Sequence, residues 1–184
     1  TANSGLAGES GALTLHTGNA TEADSGAVKL YTGDSAGGRA GRMDFFVGTG
    51  DSGWGGVISL TSGRNSATSS GPVNIRSGDS GELGVSGAVL LASGKATSGS
   101  SGAILLSTGE TTKGAGGAIN LQVGAGAEGE GGAITATAGT STGALGGKIE
   151  LTSGASSSAA SGAVKVASAA SAAGSGAITL SSGA

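Results

Sequence analysis

Two glycine-rich stretches have the GxGxxG spacing of a dinucleotide-binding loop, "GTGDSG" at 48–53 and "GAGAEG" at 124–129. Phosphate binding by such a loop requires a strand before it and a helix after it, because the helix N-terminus supplies the amide donors. Neither stretch opens a helical pattern. Glycine fills 41 of the 184 positions, so a match of this length arises from composition alone. We therefore predict turns at both places and no cofactor.

A second short motif, "GDSG" at 50–53 and 78–81, is similar to the nucleophile loop of chymotrypsin-like serine proteases. That chemistry needs a histidine base within hydrogen-bond reach of the serine hydroxyl. The chain has one histidine, His16, and nothing in the sequence places it near Ser52 or Ser80. We predict no catalytic residues and no enzyme activity.

Metal and nucleic-acid binding are also disfavoured by composition. There is no cysteine, and the paired carboxylates Glu128 and Glu130 are predicted to be solvated surface charges rather than calcium ligands. The nine Lys and Arg residues are spread along a chain of net charge −3, so no basic stripe is available for a polyanion. No apolar run approaches the roughly 20 residues that cross a bilayer, which predicts no membrane span.

The strongest signal is an internal repeat. A glycine opens each of twelve units, and nine of the eleven spacings between these glycines are 15 residues. The opening residues, called position 1 below, are Gly11, Gly26, Gly41, Gly56, Gly71, Gly87, Gly102, Gly117, Gly132, Gly147, Gly162 and Gly176. Position 8 is again glycine in every unit except one, where Ala169 stands. A disordered linker has no reason to keep this spacing.

Within each unit, apolar and polar residues alternate. Position 3 is always aliphatic or Met, position 5 is nearly always large and apolar, and positions 4 and 6 vary freely. Period-two alternation predicts a half-buried strand with positions 3, 5 and 7 facing inward. A 15-residue unit is too short for a strand–helix crossover, but it suits one coil of a solenoid.

We therefore predict an all-β fold, a parallel β-solenoid (β-helix) with 15-residue coils, formed as a single array over residues 1–184. Glycine at positions 1 and 8 predicts two corners and a flattened two-sheet cross-section. A three-sided triangular coil is the alternative.

Stacked coils would place residues 15 positions apart side by side, and the charges suit such a register. Position 9 alternates in sign through Arg64, Asp79, Lys95 and Glu110. Position 4 puts Lys29 beside Asp44, and Glu150 is followed 15 residues later by Lys165. We predict that these columns set the register of the coils.

Aromatic residues gather in the first third of the chain and form a possible contact patch: His16, Tyr31, Phe46 and Trp54. The first three occupy position 6 of successive units. One interpretation is a ladder that stabilises those coils; the other is a surface for a glycan or for a neighbouring copy. An ice-binding face is disfavoured, because positions 4 and 6 lack a regular rank of Thr.

The repeated phrase, as in "SGAVKLYTG" at 25–33 and "SGAILLSTG" at 101–109, resembles the Gly/Ser/Thr-rich tandem repeats of large secreted surface and fibre proteins of marine algae and other microbes. The resemblance implies an extracellular or cell-surface structural or adhesive role. We expect a non-enzymatic protein that builds a rod, fibre or filament. Its predicted partners are copies of itself, joined end to end, or further repeats of the same chain. A module that binds glycan or ice is the alternative.

Overall fold

The computed structural model describes residues 10–183, and residues 1–9 and 184 of the predicted array lie outside the described part. The β-solenoid prediction is wrong, together with its two-sheet and triangular variants: residues 10–183 contain neither helix nor strand. The described residues form runs without bends, called extended runs below, and loops that contain bends or turns. It divides into two units, Thr1–Leu90 and Leu91–Ala184.

Backbone hydrogen bonding shows how the structure departs from the prediction. A solenoid needs bonds between residues about 15 apart, from each coil to the next. In the described part of the chain, the backbone bonds instead join residues 3 or 8 apart, as in Gly84 to Gly81 and Gly71 to Gly63. Local closure of this kind costs less chain entropy than pairing between repeats.

The composition supplies a physical reason for this outcome. The second half of each repeat is nearly all Ser, Ala, Gly and Thr, as in "ASSSAAS" at 155–161. Such side chains cannot cover the Ile and Leu of the first half, and ordering so much glycine is entropically expensive. Accordingly, none of the described residues is buried.

The 15-residue period nevertheless recurs in the loops. The chain bends at positions 11–13 of nine units, namely at 21–23, 36–38, 51–53, 66–68, 97–99, 112–114, 127–129, 142–144 and 157–159. Two further units turn at 82–83 and 172–173, and these are the units with one residue added or lost. Each repeat is therefore an extended run from position 1 to position 8, followed by a bent loop that leads into the next repeat.

The base of each loop is closed by position 7, whose side chain lies against the glycine that opens the next unit. A Cβ on Gly117 would lie 3.4 Å from Cγ2 of Thr108, and a Cβ on Gly132 would lie 2.7 Å from Cγ1 of Val123. The approach of position 7 is closer still at Gly56 and is 3.3 Å at Gly147, whereas ordinary contacts of 3.4–3.8 Å occur at Gly26, Gly41, Gly71, Gly87, Gly102 and Gly162. At Gly56 and Gly132 a side chain would collide with the position-7 valine, and at Gly147 it would be tightly confined. At Gly176 the contact is missing, and the preceding loop is one residue shorter.

Hydrogen bonds reinforce several of these closures. The N–H groups of Gly71, Gly147 and Gly162 donate to the carbonyl oxygens of the position-8 glycines before them, over 3.0, 2.9 and 2.9 Å. In two other units a threonine hydroxyl closes the loop: Thr17 Oγ1 donates to the Gly26 carbonyl at 3.0 Å, and Thr32 Oγ1 donates to the Gly41 carbonyl at 3.2 Å. The result is a series of small loops whose ends meet, as in Ω-loops.

Candidate interaction surface

The apolar side chains of the extended runs are exposed, but unequally. In one run, Leu105 at position 4 is 86% exposed and Leu106 at position 5 is 65% exposed. In another, Phe46 at position 6 is 85% exposed and Phe45 at position 5 is 67% exposed. Because each comparison uses two adjacent residues of one type, the difference reflects position rather than residue size. Position 5 therefore lies on the more sheltered side of an extended run, and position 3 does so too, since Ile104 in the first of these runs is 54% exposed; neither position is buried.

Together, positions 3 and 5 form the apolar face of each repeat. Position 3 carries Ile or Val in most units, for example Ile104 and Ile119, and position 5 carries Leu in most, for example Leu106 and Leu121. These side chains remain about half to three-quarters in water. Fully burying one Leu or Ile gains about 1.5–3 kcal/mol, so a recurring face of this kind is a strong candidate for contact with a partner.

Ion pairs occur along single runs. Arg42 Nε donates to Asp44 Oδ2 at 2.6 Å, and Lys148 Nζ is paired with Glu150 Oε2. Both pairs join position 2 to position 4 of the same unit. Residues two apart in an extended chain share a side, so the pairs fit the alternation. The pairs are largely exposed, and such pairs contribute at most about 1 kcal/mol.

The predicted charge columns depended on coils in register, and the described residues form no such coils. Asp44 is bonded to Arg42 instead of Lys29, and Glu150 to Lys148 instead of Lys165. The four residues of the other column, Arg64, Asp79, Lys95 and Glu110, occupy position 9, the first residue of each loop, and form no salt bridge among the described residues.

The four aromatic patch residues are all exposed, and Trp54 is completely exposed. His16, Tyr31 and Phe46 lie near the ends of successive extended runs, and Trp54 follows the bend at 51–53. His16 Nδ1 lies 3.1 Å from the carbonyl oxygen of the next residue, Thr17, which is hydrogen-bond distance. No hydrogen bond in the described part of the chain joins any two of the four residues. The patch remains a prediction.

The glycine-rich motifs form loops. The stretches 48–53 and 124–129 span positions 8–13, and each ends in a glycine with positive φ, 73° at Gly53 and 83° at Gly129. No helix follows either stretch, so neither offers the helix N-terminus that a dinucleotide-binding loop requires.

Other sites for chemistry are equally sparse in residues 10–183. No group of three potential metal ligands occurs there. One open depression of about 390 Å³ is lined by a single consecutive segment, Val73, Asn74, Ile75 and Arg76. Residues 10–183 include no helix with the length and apolar character that a membrane crossing requires.

Two turn devices were missed in the sequence, and both involve position 13. In five units, position 13 is a glycine with positive φ, at Gly53, Gly99, Gly114, Gly129 and Gly174. In three units, position 13 is Thr or Ala, and its N–H donates to the side chain at position 10 instead. These bonds run from Thr68 to Asn65 Oδ1, from Ala144 to Ser141 Oγ, and from Ala159 to Ser156 Oγ, over 2.8–3.0 Å.

The signal for these devices is present in the sequence. Where position 13 lacks glycine in these three units, position 10 is Asn or Ser, the residues that form Asx- and ST-turns. Alignment on positions 10 and 13 together would therefore have identified the bends.

No family model, no curated protein and no solved structure matches this chain.

Proposed function

We propose that the chain is a non-enzymatic structural repeat protein that assembles with copies of itself into an extracellular fibre or filament. The observation that carries the proposal is the apolar face at positions 3 and 5, which recurs through the chain and none of whose described side chains is buried. Exposed apolar patches mark sites of association when their side chains are contiguous.

The repeat itself favours a second copy as the occupant of this face. A partner that covers the face must present apolar side chains with the same 15-residue spacing, and a second copy has that spacing by construction. A net charge of only −3 over 184 residues gives little repulsion between copies. A second copy that is shifted along the face by one or more repeats contacts it through a different set of repeats. Such a contact between different surfaces does not close on itself, so it generates a filament.

The extracellular location rests on the resemblance of the repeated phrase to the tandem repeats of secreted surface and fibre proteins. The non-enzymatic role rests on the residues: a single histidine, no cysteine, and loops of nearly uniform length that leave no room to build a cleft.

A second candidate function, binding of a surface glycan, is favoured by the exposure of Tyr31, Phe46 and Trp54. Aromatic faces stack on sugar rings, and these side chains are accessible without any rearrangement of the chain. A glycan-binding patch near one end is compatible with assembly through positions 3 and 5, because the two sets share no residue.

Self-assembly is tested by sedimentation velocity of the purified chain over a wide concentration range, with electron microscopy of the same samples. We expect the mean size to rise with concentration and elongated particles to appear. A single monomeric species at every concentration would refute the proposal.

A further inference from the structure

The loop that begins at Gly18 contains the sequence Asn19-Ala20-Thr21. This is the Asn-x-Ser/Thr pattern with a residue other than proline in the middle, which is the acceptor for N-linked glycosylation. All three residues are exposed, and the chain bends directly after them, at 21–23. Acceptor asparagines lie on surface loops of secreted proteins, and this loop lies on the surface.

The structure separates Asn19 from the other loop asparagine, Asn65. The Asn65 side chain accepts hydrogen bonds at 2.8 Å from the N–H groups of Ala67 and Thr68, so its amide is engaged in holding a turn. It is also followed by Ser66 and Ala67, and so lacks the hydroxyl two residues later. Asn19 is followed two residues later by Thr21, which supplies the hydroxyl of the pattern. The Asn19 side chain forms no hydrogen bond to another described residue.

The loop is anchored at its base and adaptable at its tip. The Thr17 hydroxyl, which precedes Asn19 in the chain, donates a hydrogen bond at 3.0 Å to the carbonyl of Gly26, which follows the loop. The tip has neither of the two turn devices found elsewhere, because position 13 is Ala23 with φ below zero and position 10 is Ala20, which has no capping group. A transferase can therefore engage the tip without breaking a turn bond among the described residues.

We propose that Asn19 is a site of N-linked glycosylation. The donor is an oligosaccharide bound through a diphosphate to a lipid. The Asn19 amide nitrogen forms a bond to the anomeric carbon of the first sugar, while the bond from that carbon to the diphosphate oxygen breaks. The amide proton passes to a base, the lipid diphosphate leaves, and no oxidation or reduction occurs.

This inference rests on the extracellular part of the proposed function, because the acceptor must meet the donor in the secretory route. The glycan would occupy the loop at position 9, while Leu13 and Leu15 of the same unit lie on the extended run. Modification therefore leaves positions 3 and 5 available for assembly, and it adds a hydrophilic group beside an apolar face.

The test is translation of the full chain behind a cleavable signal peptide in the presence of microsomal membranes, scoring only chains protected from added protease. We expect a gain in mass that peptide N-glycosidase reverses, with conversion of Asn19 to Asp detected in the released peptide. Asn19→Gln and Thr21→Ala should abolish the gain, and Thr21→Ser should retain it at lower occupancy. Asn65→Gln should leave it unchanged.

Protected chains in which Asn19 stays unmodified would overturn the inference, as would equal modification of the Asn19→Gln variant. The outcome is independent of the assembly experiment, which uses unglycosylated chain made in bacteria. Failure to assemble would refute the proposed function without changing the mass of the protected chain.

Discussion

The substitution Gly147→Ala tests the loop closure, because it changes only the steric contacts of residue 147 at the closure. The Gly147 N–H donates to the Gly139 carbonyl at 2.9 Å. A Cβ at residue 147 would lie 3.2 Å from the backbone nitrogen of Gly139 and 3.3 Å from Cβ of Ala138. None of these atoms is the end of a flexible side chain, so Gly147→Ala must push the loop ends apart.

The neighbouring residue Gly146 is a matched control. A Cβ there would lie 3.7 Å from the Gly139 carbonyl oxygen, which is an ordinary van der Waals contact. Neither Gly146 nor Gly147 has positive φ, so alanine introduces no backbone strain at either position. Both substitutions also remove the same glycine entropy from the unfolded chain, and that contribution cancels in the comparison.

The expected magnitude follows from the hydrogen bond at the closure. A bond of this kind has a net stability of about 0.5–1.5 kcal/mol, so its loss should speed amide exchange at residue 147 by about 2- to 13-fold. Hydrogen exchange followed by NMR measures this after correction for the intrinsic rates of Ala and Gly. Unchanged exchange in Gly147→Ala, or an equal acceleration at residue 147 in Gly146→Ala, would refute the loop closure.

Two further predictions concern the turn caps and the aromatic patch. Asn65→Ala should speed exchange of the Ala67 and Thr68 amides by roughly 2- to 30-fold, because a lost side-chain cap costs about 0.5–2 kcal/mol. Asn65→Asp should retain most of the protection. Equal exchange rates in the two variants and the parent protein would show that the cap does not form in solution. Replacing both Tyr31 and Phe46 with Thr should weaken binding on a glycan array at least tenfold if the patch binds sugar. As the control, the amide hydrogen exchange rate at residue 147 should be unchanged. Undiminished glycan binding would exclude these two residues from the patch.

The sequence was sufficient to predict the period but not the pairing. Regular spacing of Gly117 and Gly132 predicted a repeated unit, and the structure has a bend at 127–129 and a contact of Val123 with Gly132 at the corresponding places. Alternation of Ile119 and Leu121 with polar residues predicted two unlike sides for the run. These features depend on residues near one another in the chain, so they can be derived from sequence.

The partner of each run could not be derived in this way. Alternation states that one side of a run is apolar, but it does not specify what covers that side. The solenoid prediction assumed that Ile119 and Leu121 face the interior between two sheets of stacked coils, whereas the described chain forms backbone bonds between residues 3 or 8 apart and leaves both side chains exposed. Charge alternation likewise does not specify the partner of Asp44, which pairs with Arg42 two residues away.

The central claim is that positions 3 and 5 become buried between copies of the chain. It is tested by the critical concentration for assembly of two double variants, Leu106→Thr with Leu121→Thr at position 5, and Leu90→Thr with Leu105→Thr at position 4. No described residue is buried, so none of these substitutions disturbs a core.

Leu106 is 65% exposed, and burying that fraction of a leucine is worth about 1–2 kcal/mol. Replacing both position-5 leucines should therefore weaken the free energy of association by about 2–4 kcal/mol per contact, which raises the critical concentration about 30- to 700-fold. Replacing both position-4 leucines should change the critical concentration less than about threefold. Equal shifts in the two double variants, or a larger shift for the position-4 pair, would contradict the account.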